Sequence, residues 1–108
     1  MARAEIREIA RRYMATLKRT IHPIELILFG SHARGTADER SDVDLLIVAS
    51  FAKSRRKILV EMDRALRGIG FARDIVLLTP EEFERDREIP GTIARPASQE
   101  GKILYERH

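Results

Sequence analysis

Three aspartates stand where strands are expected. Asp42 and Asp44, one residue apart, open the apolar run Val43 to Ala49, and Asp74 lies inside another run, Phe71 to Leu78. Acidic residues are depleted from strands and seldom fully buried without a partner. Side chains two apart on a strand share a face, so Asp42 and Asp44 point the same way, roughly 7 Å apart at Cα. In the later run Asp74, Val76 and Leu78 take one face while Arg73, Ile75 and Leu77 take the other. If the two strands pair, three carboxylates meet at one place. Left alone they would repel each other and raise their own pKa values. The pattern calls for a shared sheet and for positive charge beside it.

Around these runs the chain alternates helix and strand signals. Ile6, Ile9, Tyr13, Leu17 and Ile21 recur at spacings of three and four, predicting an amphipathic helix over about residues 2 to 20 that Pro23 stops. Ile24 to Phe29, ended by Gly30, reads as a strand, and residues 31 to 41 as a loop with room for one helical turn. Ser54 is placed to cap a helix whose Ile58, Leu59, Met62, Leu66 and Ile69 form one stripe, ended by Gly68 and Gly70. Thr79 caps, and Pro80 begins, a short acidic helix, with Glu82 positioned to close a capping box. Pro90 and Pro96 bracket a segment that cannot be one straight helix; residues 96 to 101 fit a single helical turn and Ile103 to Tyr105 a terminal strand. The expected fold class is α+β (two-layer α/β), a small mixed β-sheet flanked by helices, with residues 1 to 108 as one domain.

Composition narrows the chemistry. There are no cysteines, which excludes disulfides and thiolate metal sites, and His22, His32 and His108 lack zinc-ligand spacing. No apolar stretch approaches the ~20 residues of a membrane span, and the first ten residues carry acids and lack the apolar block of a signal peptide. A cytoplasmic protein with no membrane partner is expected. Twenty basic against seventeen acidic side chains leave a net charge of +3, with local excesses at Arg11-Arg12, Lys18-Arg19 and Lys53 to Lys57. No aromatic interleaves with these runs as a base-stacking surface requires, so solvated helix faces are favoured over nucleic-acid binding.

Gly30-Ser31 precedes the aspartate pair with ten residues between them. An Asp-x-Asp by itself is common, and capping a turn or pairing with Arg34, Arg40 or Arg73 is then the better explanation. Gly-Ser at this fixed distance arises with it by chance in only about one in a thousand chains of this length. Gly30 lets the backbone turn sharply and a ligand approach closely. The Ser31 and His32 amides with the Ser31 hydroxyl suit phosphate oxygens, and Ser31 as a helix N-cap is compatible with that use. Arg34 has two destinations open to it, a phosphate or a surface ion pair with Asp38 or Glu39. His32 is expected at the surface, Ser41 against the turn before Asp42, and Lys102 and Tyr105 in rim and core packing. Two Mg²⁺ ions about 4 Å apart would offset the carboxylates and bridge them to substrate phosphates.

The stretch L-F-G-S-H-A-R-G-T-A-D-E-R-S-D-V-D-L-L-I-V resembles the DNA polymerase β-type nucleotidyltransferase superfamily and, more narrowly, its minimal nucleotidyltransferases, including MntA-like antitoxins. The terminal E-G-K-I-L-Y-E-R resembles the end of that group, while Pro96 departs from it and is expected to disturb the last helix. The resemblance implies that Gly30 and Ser31 bind a nucleoside triphosphate. It makes Asp42, Asp44 and Asp74 the catalytic and metal-binding acids, with Asp74 also the base for an acceptor hydroxyl. The implied reaction transfers AMP from ATP. A domain this small has little surface left to enclose an acceptor. By the resemblance the acceptor is a tyrosine of a separately encoded HEPN-type toxin. The alternatives are a non-catalytic nucleotide-binding antitoxin, and an RNA or small-molecule nucleotidyltransferase.

Overall fold

The computed structural model describes residues 3–20, 22–38, 40–52, 54–65 and 73–107. Its elements run α1 (Arg3–Thr20), β1 (His22–Phe29), α2 (Ser31–Arg34), β2 (Val43–Ser50), α3 (Arg55–Ala65), β3 (Arg73–Leu78), α4 (Pro80–Asp86), α5 (Ala94–Glu100) and β4 (Lys102–Glu106). Pro23, expected only to stop the first helix, is the second residue of β1. Proline gives the ladder no donor, and the β1–β2 register shifts between Pro23 and Glu25.

The strands form one mixed sheet in the order β3-β2-β1-β4. β1 runs antiparallel to β2 and to β4, whereas β2 and β3 are parallel and joined through α3. Period-two alternation divides the apolar side chains between two cores. Leu26, Leu28, Val43, Leu45, Ile47, Ala49 and Leu77 pack beneath Ile6, Ile9, Ala10 and Met14 of α1 and Ile58 and Met62 of α3. Ile27, Leu46 and Val48, with Phe29, Val76 and Leu78, meet Phe83 of α4 and Ala94 and Ala97 of α5 on the opposite face. The mixed sheet flanked by helices is therefore as expected, with helices on both of its faces. Leu66, Gly68, Ile69, Gly70, Phe71 and Ile21, and the side chains of Tyr13 and Leu17, lie outside the described residues.

Helix termini follow their local chemistry. The Thr79 side chain accepts from the Glu82 amide at 3.1 Å while Glu82 Oε1 accepts from the Thr79 amide at 2.9 Å, closing the capping box. Pro96 leaves the last helix intact, contrary to expectation, because it falls in the first turn of α5, where amides have no intrahelical partner. The helix thus spans Ala94–Glu100, longer than the single turn the prolines suggested. Gly101 ends it against β1: a Cβ there would strike the Ala97 carbonyl and the Ile27 side chain. Among the described residues no helix is long and apolar enough to cross a membrane.

Candidate active site

The site is assembled where β1 ends and β2 begins. Gly30 leaves β1 at φ 73° and ψ −156°, a backbone region essentially reserved for glycine. A Cβ at Gly30 would collide with the Asp44 carboxylate, since Asp44 lies across the ladder from Phe29. The glycine therefore serves a close approach as well as a turn. It also occupies the N-cap position of α2, its carbonyl accepting from the Ala33 and Arg34 amides at 3.1 Å each. Ser31, a candidate cap from sequence, is instead the first helical residue, and no side chain caps α2.

Asp44 and Asp74 are direct register partners across the parallel β2–β3 ladder, where neighbouring strands lie about 4.8 Å apart. Asp44 is half-buried and Asp74 exposed. Asp42 is exposed and just precedes β2, so strand alternation does not orient it as the sequence suggested. Burial pushes the Asp44 carboxyl above its ordinary range, and the charges of Asp74 and Asp42 push it further, while His32 and Arg34 draw it back. Asp44 and Asp74 thus stand at one edge of the face that α4 and α5 cover further along, with Asp42 close enough for its charge to act on Asp44.

Among the described residues Arg34 pairs with Glu100 and not with Asp38. Its Nη1 donates to Glu100 Oε2 at 3.4 Å, with both side chains about half exposed, 48% and 47%. Asp38 is engaged within its own loop, its Oδ1 accepting from the Arg40 amide at 2.8 Å and its amide donating to Ser41 Oγ at 2.9 Å. Glu39 lies outside the described residues. His32 is half-buried rather than at the open surface, and its Nε2 lies 3.3 Å from the Ser41 carbonyl. Tyr105 packs against the α1–α3 core with the Lys18 ammonium 5.5 Å from its ring centroid, and Lys102 is exposed. Glu100 had no signal in the sequence, being separated by 66 positions from its partner.

A family model described as a nucleotidyltransferase domain matches residues 6–106. The chain belongs to that family. Over 46 residues this nucleotidyltransferase domain is 52% identical to the putative protein adenylyltransferase MJ1305 of Methanocaldococcus jannaschii, a match covering 43% of this chain and 29% of that protein, so it spans under a third of the relative's length. Its fold resembles that of a toxin-antitoxin crystallised with AMP-PNP, with a TM-score of 0.64 at 18% identity over 91% of this chain and 73% of that one. A putative nucleotidyltransferase of Sulfolobus solfataricus superposes with a TM-score of 0.61 at 22% identity, covering 94% and 78% of the two chains. A mutant of the toxin-antitoxin MntA-HpeT gives 0.62 at 16% identity, covering 100% and 76%.

The acids of this nucleotidyltransferase suit a hard divalent cation. Among the described residues no three His, Asp or Glu side chains close a metal cage by themselves. Mg²⁺ does not ask for one: it is usually held by one or two carboxylates plus substrate phosphates and water. Two adjacent carboxylates with a third nearby, Asp44 being raised by burial and then by its acidic neighbours, are such a donor set.

Proposed function

We propose that this nucleotidyltransferase moves AMP from ATP onto a tyrosine hydroxyl of a HEPN-type toxin, acting as a cytoplasmic antitoxin. The observation that carries the reading is the Asp44–Asp74 pairing beside the Gly30 turn, which puts clustered carboxylates directly against a backbone that carries no side chain. The similarity to a putative protein adenylyltransferase and the AMP-PNP held by a toxin-antitoxin of like fold support an adenine nucleotide and a protein acceptor.

In this reading Gly30 lets a phosphate lie against the backbone, and the Ser31 hydroxyl and Arg34 bind the β- and γ-phosphates. Arg34 gives up Glu100 to do so, and an exposed pair of that kind is worth only about 0–1 kcal/mol. Asp42, Asp44 and Asp74 would hold two Mg²⁺ ions, which when bound would supply positive charge against the triphosphate. Asp74, exposed on the edge strand β3, takes the proton of the acceptor hydroxyl. The acceptor oxygen bonds to the α-phosphorus as the bond to the α–β bridging oxygen breaks, releasing pyrophosphate. Cells producing the toxin partner with Asp42→Asn and Asp44→Asn variants test the proposal. Loss of neutralisation is expected; unchanged neutralisation would leave only a docking role.

A further inference from the structure

His32 does a task that the reaction scheme above leaves unassigned. Its Nε2 lies 3.3 Å from the Ser41 carbonyl oxygen, and since a carbonyl only accepts, the ring must donate through Nε2–H. That carbonyl belongs to the peptide unit joining Ser41 to Asp42. The unit is planar, so holding its oxygen also fixes the directions of the Asp42 amide and Cα. Asp42 needs an anchor of this sort because the β2–β3 register begins at Val43 and the β1–β2 register ends at Asp44.

Asp38, Arg40 and Ser41 in the preceding loop are hydrogen-bonded to one another. The Ser41 amide donates to the Asp38 carbonyl at 3.2 Å, Ser41 Oγ accepts from the Asp38 amide at 2.9 Å, and Asp38 Oδ1 accepts from the Arg40 amide at 2.8 Å. These bonds join loop residues to one another; among the described residues the His32 bond joins this box to α2 and hence to the Gly30 turn. His32 is also close enough to Asp44 to favour its ionised form.

We infer that His32 is a positioning residue, whose Nε2–H holds the Ser41 carbonyl and so aims the Asp42 carboxylate at the cation shared with the nucleotide. The inference rests on the proposed role of Asp42. The test measures AMP-PNP affinity by calorimetry, with and without Mg²⁺, for wild type, His32→Leu and His32→Gln. Leucine removes the donor, whereas glutamine returns an N–H at similar reach. His32→Leu is expected to lose about tenfold of the Mg²⁺-dependent affinity, as loss of a partner behind a metal ligand typically does. Its metal-free affinity should change less than about twofold, and His32→Gln should stay within about threefold of wild type.

A metal-free loss as large as the loss with Mg²⁺ would make His32 a direct nucleotide contact and overturn the inference. So would His32→Gln as weak as His32→Leu. If leucine prevents folding, ¹⁵N spectra of wild-type His32 decide: a proton on Nε2 is expected, and an unprotonated Nε2 overturns the proposal. No Mg²⁺ effect on wild-type affinity would instead count against the proposed function, which keeps the two failures apart.

Discussion

Replacing Gly30 with alanine probes the site at its tightest point. Two costs are separable. At φ 73° and ψ −156° any side-chain-bearing residue pays about 1–3 kcal/mol in backbone strain. The new Cβ also meets the Asp44 carboxylate, and overpacking of this kind costs about 1–3 kcal/mol more. Gly30→Ala should therefore destabilise by about 2–6 kcal/mol, and each kcal/mol lowers Tm by about 4–8 °C in a domain of this size. In an Asp44→Ala background the carboxylate is gone and the remaining Asp44 Cβ, 3.4 Å away, is an ordinary contact, so only the backbone cost should persist. Urea denaturation followed by circular dichroism, over the four proteins of the cycle, should return a coupling of about 1–3 kcal/mol, the double variant being more stable than the sum of the singles. Equal costs in both backgrounds, within about 0.5 kcal/mol, would refute the contact. A Gly30→Ala cost below that value would refute the backbone conformation itself.

Asp44→Asn should stabilise the metal-free protein at neutral pH. The folded pKa of Asp44 is raised, so the native state binds more protons than the unfolded chain between the two values and carries a penalty above the raised one. Thermal melts across a pH series should show the advantage of the Asp44→Asn variant shrinking as the pH falls toward the ordinary aspartate value of 3.8, and Mg²⁺ should stabilise wild type more than the variant. Glu100→Gln should change stability by no more than about 1 kcal/mol while leaving Arg34 freer, so AMP-PNP affinity measured by calorimetry should hold or rise; a marked fall would show that Arg34 needs Glu100 to be in place. Thr79→Ala should cost about 0.5–2 kcal/mol in urea denaturation, because it opens the capping box of α4.

Much of this fold was legible in the sequence because its signals are local. The Thr79–Glu82 box, the Gly30 turn and the apolar runs of β1 and β2 each depend on neighbours within a few residues, and each lies where those neighbours put it. Asp74 was legible as a strand acid, but its pairing with Asp44 depends on a parallel register that α3 has to bridge, and spacing alone leaves that register free. Asp42 was read as a strand residue because period two is blind to where a ladder starts. Pro96 looked disruptive because the start of α5 at Ala94 carries no cap signal: its N-cap is Ile93, which makes no side-chain bond. The partners of Arg34 and His32 were hidden for another reason. One is a contact across 66 positions, and the other goes to a main-chain carbonyl, which any residue could offer.

The central claim is that the acids beside Gly30 serve transfer of a nucleoside monophosphate. Incubating the protein with Mg²⁺ and the product of the adjacent gene, in parallel with ATP labelled at the α- or the γ-phosphorus, tests it most directly. The account predicts that α-label alone becomes covalently attached to the partner, that γ-label is released in pyrophosphate, and that Asp44→Asn abolishes both. Transfer of γ-label to the partner, or α-label transfer undiminished by Asp44→Asn, would contradict it.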